Sequence, residues 1–348
     1  NAPGLHAPQP PTPPKRPKPP RSQRPHAPVP TFSHTVVIVN GEAGGGTVRR
    51  LWPQLLREIV AASAGRLSVR WTPCPEAATE LTRTALQAGA DRIVAVGGDG
   101  TLHEVVNGFF EEDRPIAPQA VLVHLPCGTG GDFRRALQVG NGLASAHQLR
   151  SPRIREIDLL RVRYASAENG SASQYVANVA SCGLGGRVVQ SVEQTPARLG
   201  ARVGPLGGTL VYLGAILYGL ATDRPARLRI EIDDRDLGAV TARNVAIANG
   251  PAFGGGLRIA PRAAIDDGEL DVVIIEDVST RFLLSHAHRF YRGTHASLPG
   301  VHHLRGRRVT LHPAPGETDP VWLEGDGELL GRLPASVEVI PRALRIQS

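Results

Sequence analysis

Three glycine-rich stretches hold residue types that could act on an anion: Asn40-Gly41-Glu42-Ala43-Gly44-Gly45-Gly46, Gly97-Gly98-Asp99-Gly100-Thr101 and Cys127-Gly128-Thr129-Gly130-Gly131-Asp132. Glycine lets backbone N–H groups approach an anion with no Cβ in the way. A helix that starts just after such a loop adds free N–H groups and a partial positive charge. Together the stretches suit a polyphosphate. Asp99 complicates this, because a carboxylate inside a phosphate loop repels the ligand unless a cation lies between them. Asp99 is therefore a Mg2+ or water-mediated ligand, a proton acceptor near the transferred group, or a turn aspartate satisfying nearby N–H groups. A second acidic cluster is Glu324-Gly325-Asp326-Gly327-Glu328. An extended backbone there places its carboxylates on one face, where like charges raise one another's pKa or gather a cation. The alternative is a glycine-rich hairpin with solvated acids. A third stretch, Asp266-Asp267-Gly268-Glu269-Leu270-Asp271, is from spacing alone either a tight turn entering a strand or a holder of a hard cation through Asp267 and neighbouring carbonyls.

Composition removes several chemistries. Of the 39 basic residues only Lys15 and Lys18 are lysines. The chain beyond residue 33 thus has no lysine, which excludes a Walker-A loop, a protein-kinase nucleotide lysine and Schiff-base chemistry. Phosphates must be met by arginine, backbone N–H and metal. His286 and His288 are two apart and His302 and His303 are adjacent, neither being a helical zinc pair. No serine stands in a nucleophile elbow. Cys74, Cys127 and Cys182 are odd in number and far apart, which speaks against a disulfide framework and for a reducing compartment.

The elements that must carry these residues follow from periodicity. Val36–Val39, Leu67–Trp71, Ile93–Val96 and Val121–Leu125 are short apolar runs that predict buried strands. Leu51, Leu55, Leu56, Ile59 and Val60 recur at helical spacing, as do Leu81, Ala85 and Ala88, and then Leu102, Val105, Val106 and Phe109. Alternation of strand and helix predicts an α/β domain with an open parallel sheet, and all three glycine-rich stretches follow strands at one rim. From about Ile154 strand-like runs become denser: Ile157–Val162, Tyr175–Ala180, Leu228–Ile232, Val245–Ala248, Leu270–Ile275, Val309–Leu311 and Val337–Ile340. That texture predicts an antiparallel β-rich domain. A helical segment around Leu210–Leu220 is too short to span a bilayer and is expected to pack.

With 348 residues, two domains are expected. Residues 1–33 hold 12 of the 30 prolines and five basic residues with no acid, a solvated arm or an electrostatic tether to anionic lipid. The rest of the chain carries 34 basic against 32 acidic residues, a net charge of only +2. With aromatics at 4%, this argues against a nucleic-acid partner.

Several segments resemble one family. VAVGGDGTLHEVVNG at 94–108 resembles the nucleotide loop of the diacylglycerol kinase catalytic superfamily, which includes bacterial lipid kinases, sphingosine kinases and ceramide kinases. NAD kinases and phosphofructokinases carry a similar GGDGT loop, so the other matches add specificity. HLPCGTGGDFRRAL at 124–137 resembles P-x-G-T-x-N-D-x-x-R, and IANGPAFGGGLRIAPRAAIDDGELDVVI at 247–274 resembles a long β-domain signature. LEGDGE at 323–328 resembles the D-G-E motif, and VNGEAGG at 39–45 the first loop. The departures are Gly131 for Asn, Arg134 for a small residue, Gly41 for Pro and Arg187 in a region where relatives often carry an acid.

The resemblance implies an NAD-kinase-like nucleotide domain over 34–152 and a β-sandwich lipid domain over 153–340, with 341–348 returning to the first. It implies ATP and Mg2+ as cofactors and a membrane lipid as substrate, diacylglycerol first and a sphingoid base or ceramide second. By carry-over Asn40, Gly97, Gly98, Asp99, Gly100, Thr101, Gly128 and Thr129 face ATP. Asp132 lies at the substrate, Asp326 is the base with Glu328 its partner, and Asp99 is the base in the sphingosine branch. Ala264, Asp267 and Glu269 match a structural Mg2+ site, and Arg198 and Arg202 lie where relatives place phosphate-binding arginines. The implied location is cytoplasmic, peripheral at the inner face of the membrane; many relatives are homodimers. The rival readings are an NAD kinase and a non-catalytic nucleotide-binding regulator.

Overall fold

The structure is a computed structural model that describes residues 30–128, 130–166, 170–194, 219 and 224–348. Thr129, Arg198, Arg202, nearly all of the arm, and the Leu210–Leu220 segment apart from Gly219 lie outside the described residues. The first part alternates strand and helix: β1 (His34–Val39), α1 (Ala43–Ala61), β2 (Arg66–Trp71), α2 (Ala77–Gln87), β3 (Arg92–Gly97) and α3 (Asp99–Gly108). A small hairpin, β4 (Phe110–Glu111) and β5 (Arg114–Pro115), leads to β6 (Val121–Pro126) and α4 (Asp132–Leu137). These strands run parallel in the order β6-β3-β1-β2. β3 and β6 are buried at every residue, as a strand covered by helices on both faces must be. Successive residues alternate between two apolar layers. Val37, Val39, Val94 and Val96 face α1, whereas Val36, Ile38, Ile93 and Ala95 face α2 and α3. Each such burial contributes about 1.5–3 kcal/mol, which holds the rim of glycine loops on a rigid base.

The second part is antiparallel: β7 (Ile154–Ala165), β8 (Ala172–Val176), β9 (Val179–Gly183), then α5 (Leu184–Gln194), β10 (Ala226–Ile232), β11 (Arg235–Ala248) and β12 (Leu270–Glu276). After α6 (Thr280–Arg292) come β13 (Val301–Gly306), β14 (Arg308–Pro313), β15 (Trp322–Gly325) and β16 (Glu328–Gln347). Leu160, Val162, Ile230, Val245, Val309 and Val337 are among the residues that fill the core of this layer. Two strand expectations are corrected. Tyr175–Ala180 is broken into β8 and β9, because the N–H groups of Ala177, Asn178 and Val179 turn onto the Asp326 carboxylate. The 324–328 segment is not extended. Asp326 (φ 55) and Gly327 (φ 88) form a two-residue hairpin between β15 and β16, the left-handed pair that Asp-Gly favours.

β16 joins the two parts. It pairs antiparallel with β7 and β14, then bends at the register shift between Ile340 and Leu344, so that Arg345 and Ile346 pair parallel with Val121 and Leu122 of β6. Asp158 secures that bend. It is fully buried, and its carboxylate accepts the N–H groups of Arg342 (2.7 Å) and Gly268 (2.7 Å). Asp158→Ala takes the charged acceptor away from both N–H groups. It is expected to cost about 3–5 kcal/mol of stability by urea unfolding; a loss near zero would show that the bend is held some other way.

Candidate active site

The three glycine loops touch one another at the carboxyl ends of β1, β3 and β6. Asn40 ties the first to the second, its N–H reaching the Val96 carbonyl (3.0 Å) and its Nδ2 the Thr101 hydroxyl (3.0 Å). Gly44 has φ +62, and a Cβ there would lie 2.2 Å from the Cys127 carbonyl, so only glycine lets the first and third loops meet. A Cβ on Gly128 would come within 2.8 Å of the Gly98 Cα. Helix α3 begins at Asp99 with Gly98 as its cap, which offers no side chain to the first-turn amides. The Oε1 of Glu328 leans over that first turn, where a Cβ on Gly100 would meet it at 2.3 Å. Thus Asn40, Gly97, Gly98, Gly100, Thr101 and Gly128 form one rim, with Glu328 above it.

Asp99, Asp132 and Asp326 line a single cavity of about 370 Å3, together with Glu324 and the apolar side chains of Leu102, Phe133, Val179, Val189, Val192 and Phe253. Their environments differ sharply. Asp99 Oδ2 accepts the Asp132 N–H (3.1 Å), but its Oδ1 is shut from solvent and has no hydrogen-bond partner among the described residues. Burial pushes the Asp99 pKa up to about 6; the charges of Asp132 and Asp326 add to the rise and the Asp132 N–H opposes it. Asp132 is satisfied by the Gly255 N–H (2.8 Å) and by Arg135. It thereby ties α4 to the glycine loop that closes the cavity.

Asp326 is the most tightly held. Its Oδ1 accepts the N–H groups of Asn178 (2.9 Å) and Val179 (3.3 Å), and its Oδ2 that of Ala177 (2.8 Å). His103 Nδ1 lies 3.4 Å from the same Oδ2. Glu324 is buried beside it, accepting the Ser181 hydroxyl and the Gly327 N–H (3.1 Å). Burial raises the Glu324 pKa to about 7, with the hydrogen bonds from Ser181 and Gly327 working against it.

Glu324 belongs to the acidic cluster read from the sequence, whereas His103, which packs against Asp326, was not singled out there. The signal for His103 was present. Asp99, His103 and Asn107 stand at i, i+4 and i+8 on one face of α3, a polar stripe beside the apolar one of Leu102, Val105 and Val106. His103 Nε2 meets Gln174 (2.8 Å), while Asn107 exchanges two hydrogen bonds with the Tyr175 backbone (2.8 and 2.9 Å). Burial alone would lower the His103 pKa; the hydrogen bond and charge of Asp326, with smaller help from Gln174 and Glu328, together outweigh it and the net direction is upward. On its far side His103 lines a second cavity of about 870 Å3, shared with Asn107, Gln174 and Glu328.

A divalent ion travelling with a nucleotide fits the rim. A phosphate on the first turn of α3 would meet the Glu328 carboxylate, and two anions can share that place only with a cation between them. The proposed structural Mg2+ set does not fit as it stands. Ala264, Asp267 and Glu269 precede β12 and line neither cavity. Asp267 Oδ1 accepts the Glu269 N–H (3.1 Å) and its Oδ2 is taken by Arg305, which also pairs with Glu269 (2.7 Å). An ion there would have to displace a guanidinium. Among the described residues no helix is long and apolar enough to cross a membrane.

Known proteins share this two-part fold. Residues 34–162 match the diacylglycerol kinase catalytic domain, and residues 168–348 match the YegS C-terminal NAD kinase beta sandwich-like domain. A diacylglycerol kinase of Staphylococcus saprophyticus is 29% identical over 301 residues, 86% of this chain and 90% of that protein. One of Bacillus subtilis is 28% identical over 313 residues, 89% of this chain and 94% of that protein. A crystal structure of a diacylglycerol kinase from Bacillus anthracis superposes with a TM-score of 0.65 at 21% identity, covering 91% of this chain and 97% of that one, and shows the shared fold. An α/β nucleotide domain with a glycine rim, joined to a β-sandwich that brings an Asp-Gly-Glu turn over it, is thus a lipid kinase architecture, and the chain belongs to the diacylglycerol kinase catalytic-domain superfamily.

Proposed function

We propose that the chain transfers the γ-phosphate of ATP to the hydroxyl of diacylglycerol, giving phosphatidic acid, with Asp99 as the proton acceptor. The observation that carries this reading is the Asp99 Oδ1. It is a buried carboxylate oxygen with no hydrogen-bond partner among the described residues, on a side chain that lines the apolar-walled cavity. A lipid hydroxyl entering that cavity supplies the missing donor. As its oxygen bonds to the γ-phosphorus, the bond from phosphorus to the β-bridging oxygen breaks, ADP leaves and the hydroxyl proton passes to Asp99. Asp326 is less suited to that task, since its oxygens already accept three backbone N–H groups. It serves as a fixed charge that helps keep Asp99 basic. Mg2+ would be held by Glu328 and the nucleotide, and would spread the charge of the transferring group. The backbone amides of the rim and of α3 hold the phosphates, so no lysine is needed. The apolar wall of Leu102, Phe133, Val189, Val192 and Phe253 accommodates the start of the acyl chains, and the enzyme meets its substrate from the membrane surface.

The test is a competition among diacylglycerol, ceramide and sphingosine vesicles and NAD+ for label from γ-labelled ATP. Label is expected in phosphatidic acid. Label in NADP alone, or in no product, would contradict the reading. A second outcome follows from the Asp99 pKa of about 6. The base acts only when ionised, so kcat/KM should fall about tenfold per pH unit below 6 and be flat from 7 to 8. Asp326→Asn removes a neighbouring negative charge, so whatever activity it keeps should show this limb at lower pH. A wild-type limb near pH 4 would instead mean that an unperturbed carboxylate governs the rate.

A further inference from the structure

Four carboxylates, Asp266, Asp267, Glu269 and Asp271, fall within six residues around the start of β12. At that spacing they repel one another unless positive charge is supplied. The chain supplies it from two strands. Arg155 of β7 pairs with Asp266 (2.7 Å). Arg305 of β13, directly opposite Asp271 in the β12–β13 register, reaches three acids: Asp267, Glu269 (2.7 Å) and Asp271 (3.7 Å). The same turn is anchored to the junction of the two halves. Its Gly268 N–H and Ile265 carbonyl are bonded to Asp158, whose other oxygen holds the bend of β16 at Arg342.

We propose that Arg305 takes the place of a divalent cation at this turn, so that the junction between the halves is assembled without metal. A guanidinium suits the task because its planar fork presents five donors, enough to serve three carboxylates at once. Mg2+ would demand a near-octahedral shell and keep several waters, a poor match for a carboxylate whose two oxygens are already taken. Divalent-ion dependence of the protein then arises only in the nucleotide cleft. The inference stands whichever lipid is phosphorylated.

Thermal unfolding of the full chain without nucleotide, in EDTA and in rising MgCl2, decides it. The wild type is expected to melt at one temperature throughout. Arg305→Gln should melt about 2–4 °C lower in EDTA, as the acids lose their common partner, and should recover on adding Mg2+, which then finds a vacated site. A saturable Mg2+ gain in the wild type that Asp267→Asn abolishes would overturn the proposal. So would an Arg305→Gln variant that melts with the wild type in EDTA, or one that melts lower and gains nothing from Mg2+. A wild-type gain that Asp267→Asn retains comes from the cleft carboxylates and agrees with the proposal. If Arg305→Gln does not fold, the wild type and Asp267→Asn decide alone.

Discussion

Asp99→Asn is expected to lower kcat by about 10²–10⁴-fold while leaving ATP affinity within a few-fold of the wild type. Asn is isosteric, and its amide oxygen can still accept the Asp132 N–H that Asp99 Oδ2 now takes. The fold of the rim is therefore preserved. What disappears is the ability to receive a proton at the oxygen that lacks a partner. Removing a negative charge beside the phosphates should, if anything, tighten nucleotide binding, so the two effects part company. Single-turnover rates and a separate ADP titration measure them independently. A variant that turns over within threefold of the wild type would remove Asp99 from the chemistry.

Asp326→Asn is expected to fail for a different reason, by loosening the structure. Its two oxygens receive three backbone N–H groups, from Ala177, Asn178 and Val179, and face His103 as well. An Asn must turn an NH2 toward one of those pairs, leaving buried donors facing a donor. The cost is about 2–4 kcal/mol. The break between β8 and β9, which exists to aim those amides, then loses its anchor, and the Asp-Gly turn that carries Glu328 over α3 moves with it. Urea unfolding should register the loss of stability, and kcat should fall along with it. Asp326→Asn with wild-type stability and greatly reduced kcat would transfer the proton-accepting role from Asp99 to Asp326.

How much of this was legible from residues alone depended on where the determinant lay. β1, β3 and β6 were visible because a strand buried on both faces must be a continuous apolar run, and Val36–Val39, Ile93–Val96 and Val121–Leu125 are such runs. The glycine loops followed from the same reading, since each comes directly after one of these strands. The break at Ala177 and Asn178 was not visible. Its cause, the Asp326 carboxylate, is 148 residues away from Asn178 in sequence, and Tyr175–Ala180 on its own is a good strand. The Asp326-Gly327 turn did have a local signal, but the alternating carboxylates of 324–328 favoured an extended reading. Positive φ at both central residues decides in favour of the hairpin. β16 is 20 residues long with no single periodicity, because it serves two apolar layers in turn and changes register where it passes between them. His103 belongs to no histidine pair. Its partner is a carboxylate on another strand, and only the spacing from Asp99 pointed to it. The turn around Asp267 shows the reverse hazard. Its sequence resembles a cation site, yet Arg305, on the next strand, supplies the charge.

The central claim is that backbone amides at three strand ends, with Asp99 beside them, hold the triphosphate and transfer its end to a lipid alcohol. Crystals soaked with Mg2+ and ADP test it most directly. The account predicts the β-phosphate against the first turn of α3 and the Gly44–Gly46 and Gly128 backbone, with Mg2+ on the Glu328 side. Nucleotide density bound away from these loops, or phosphates held by arginine side chains with the rim empty, would contradict it.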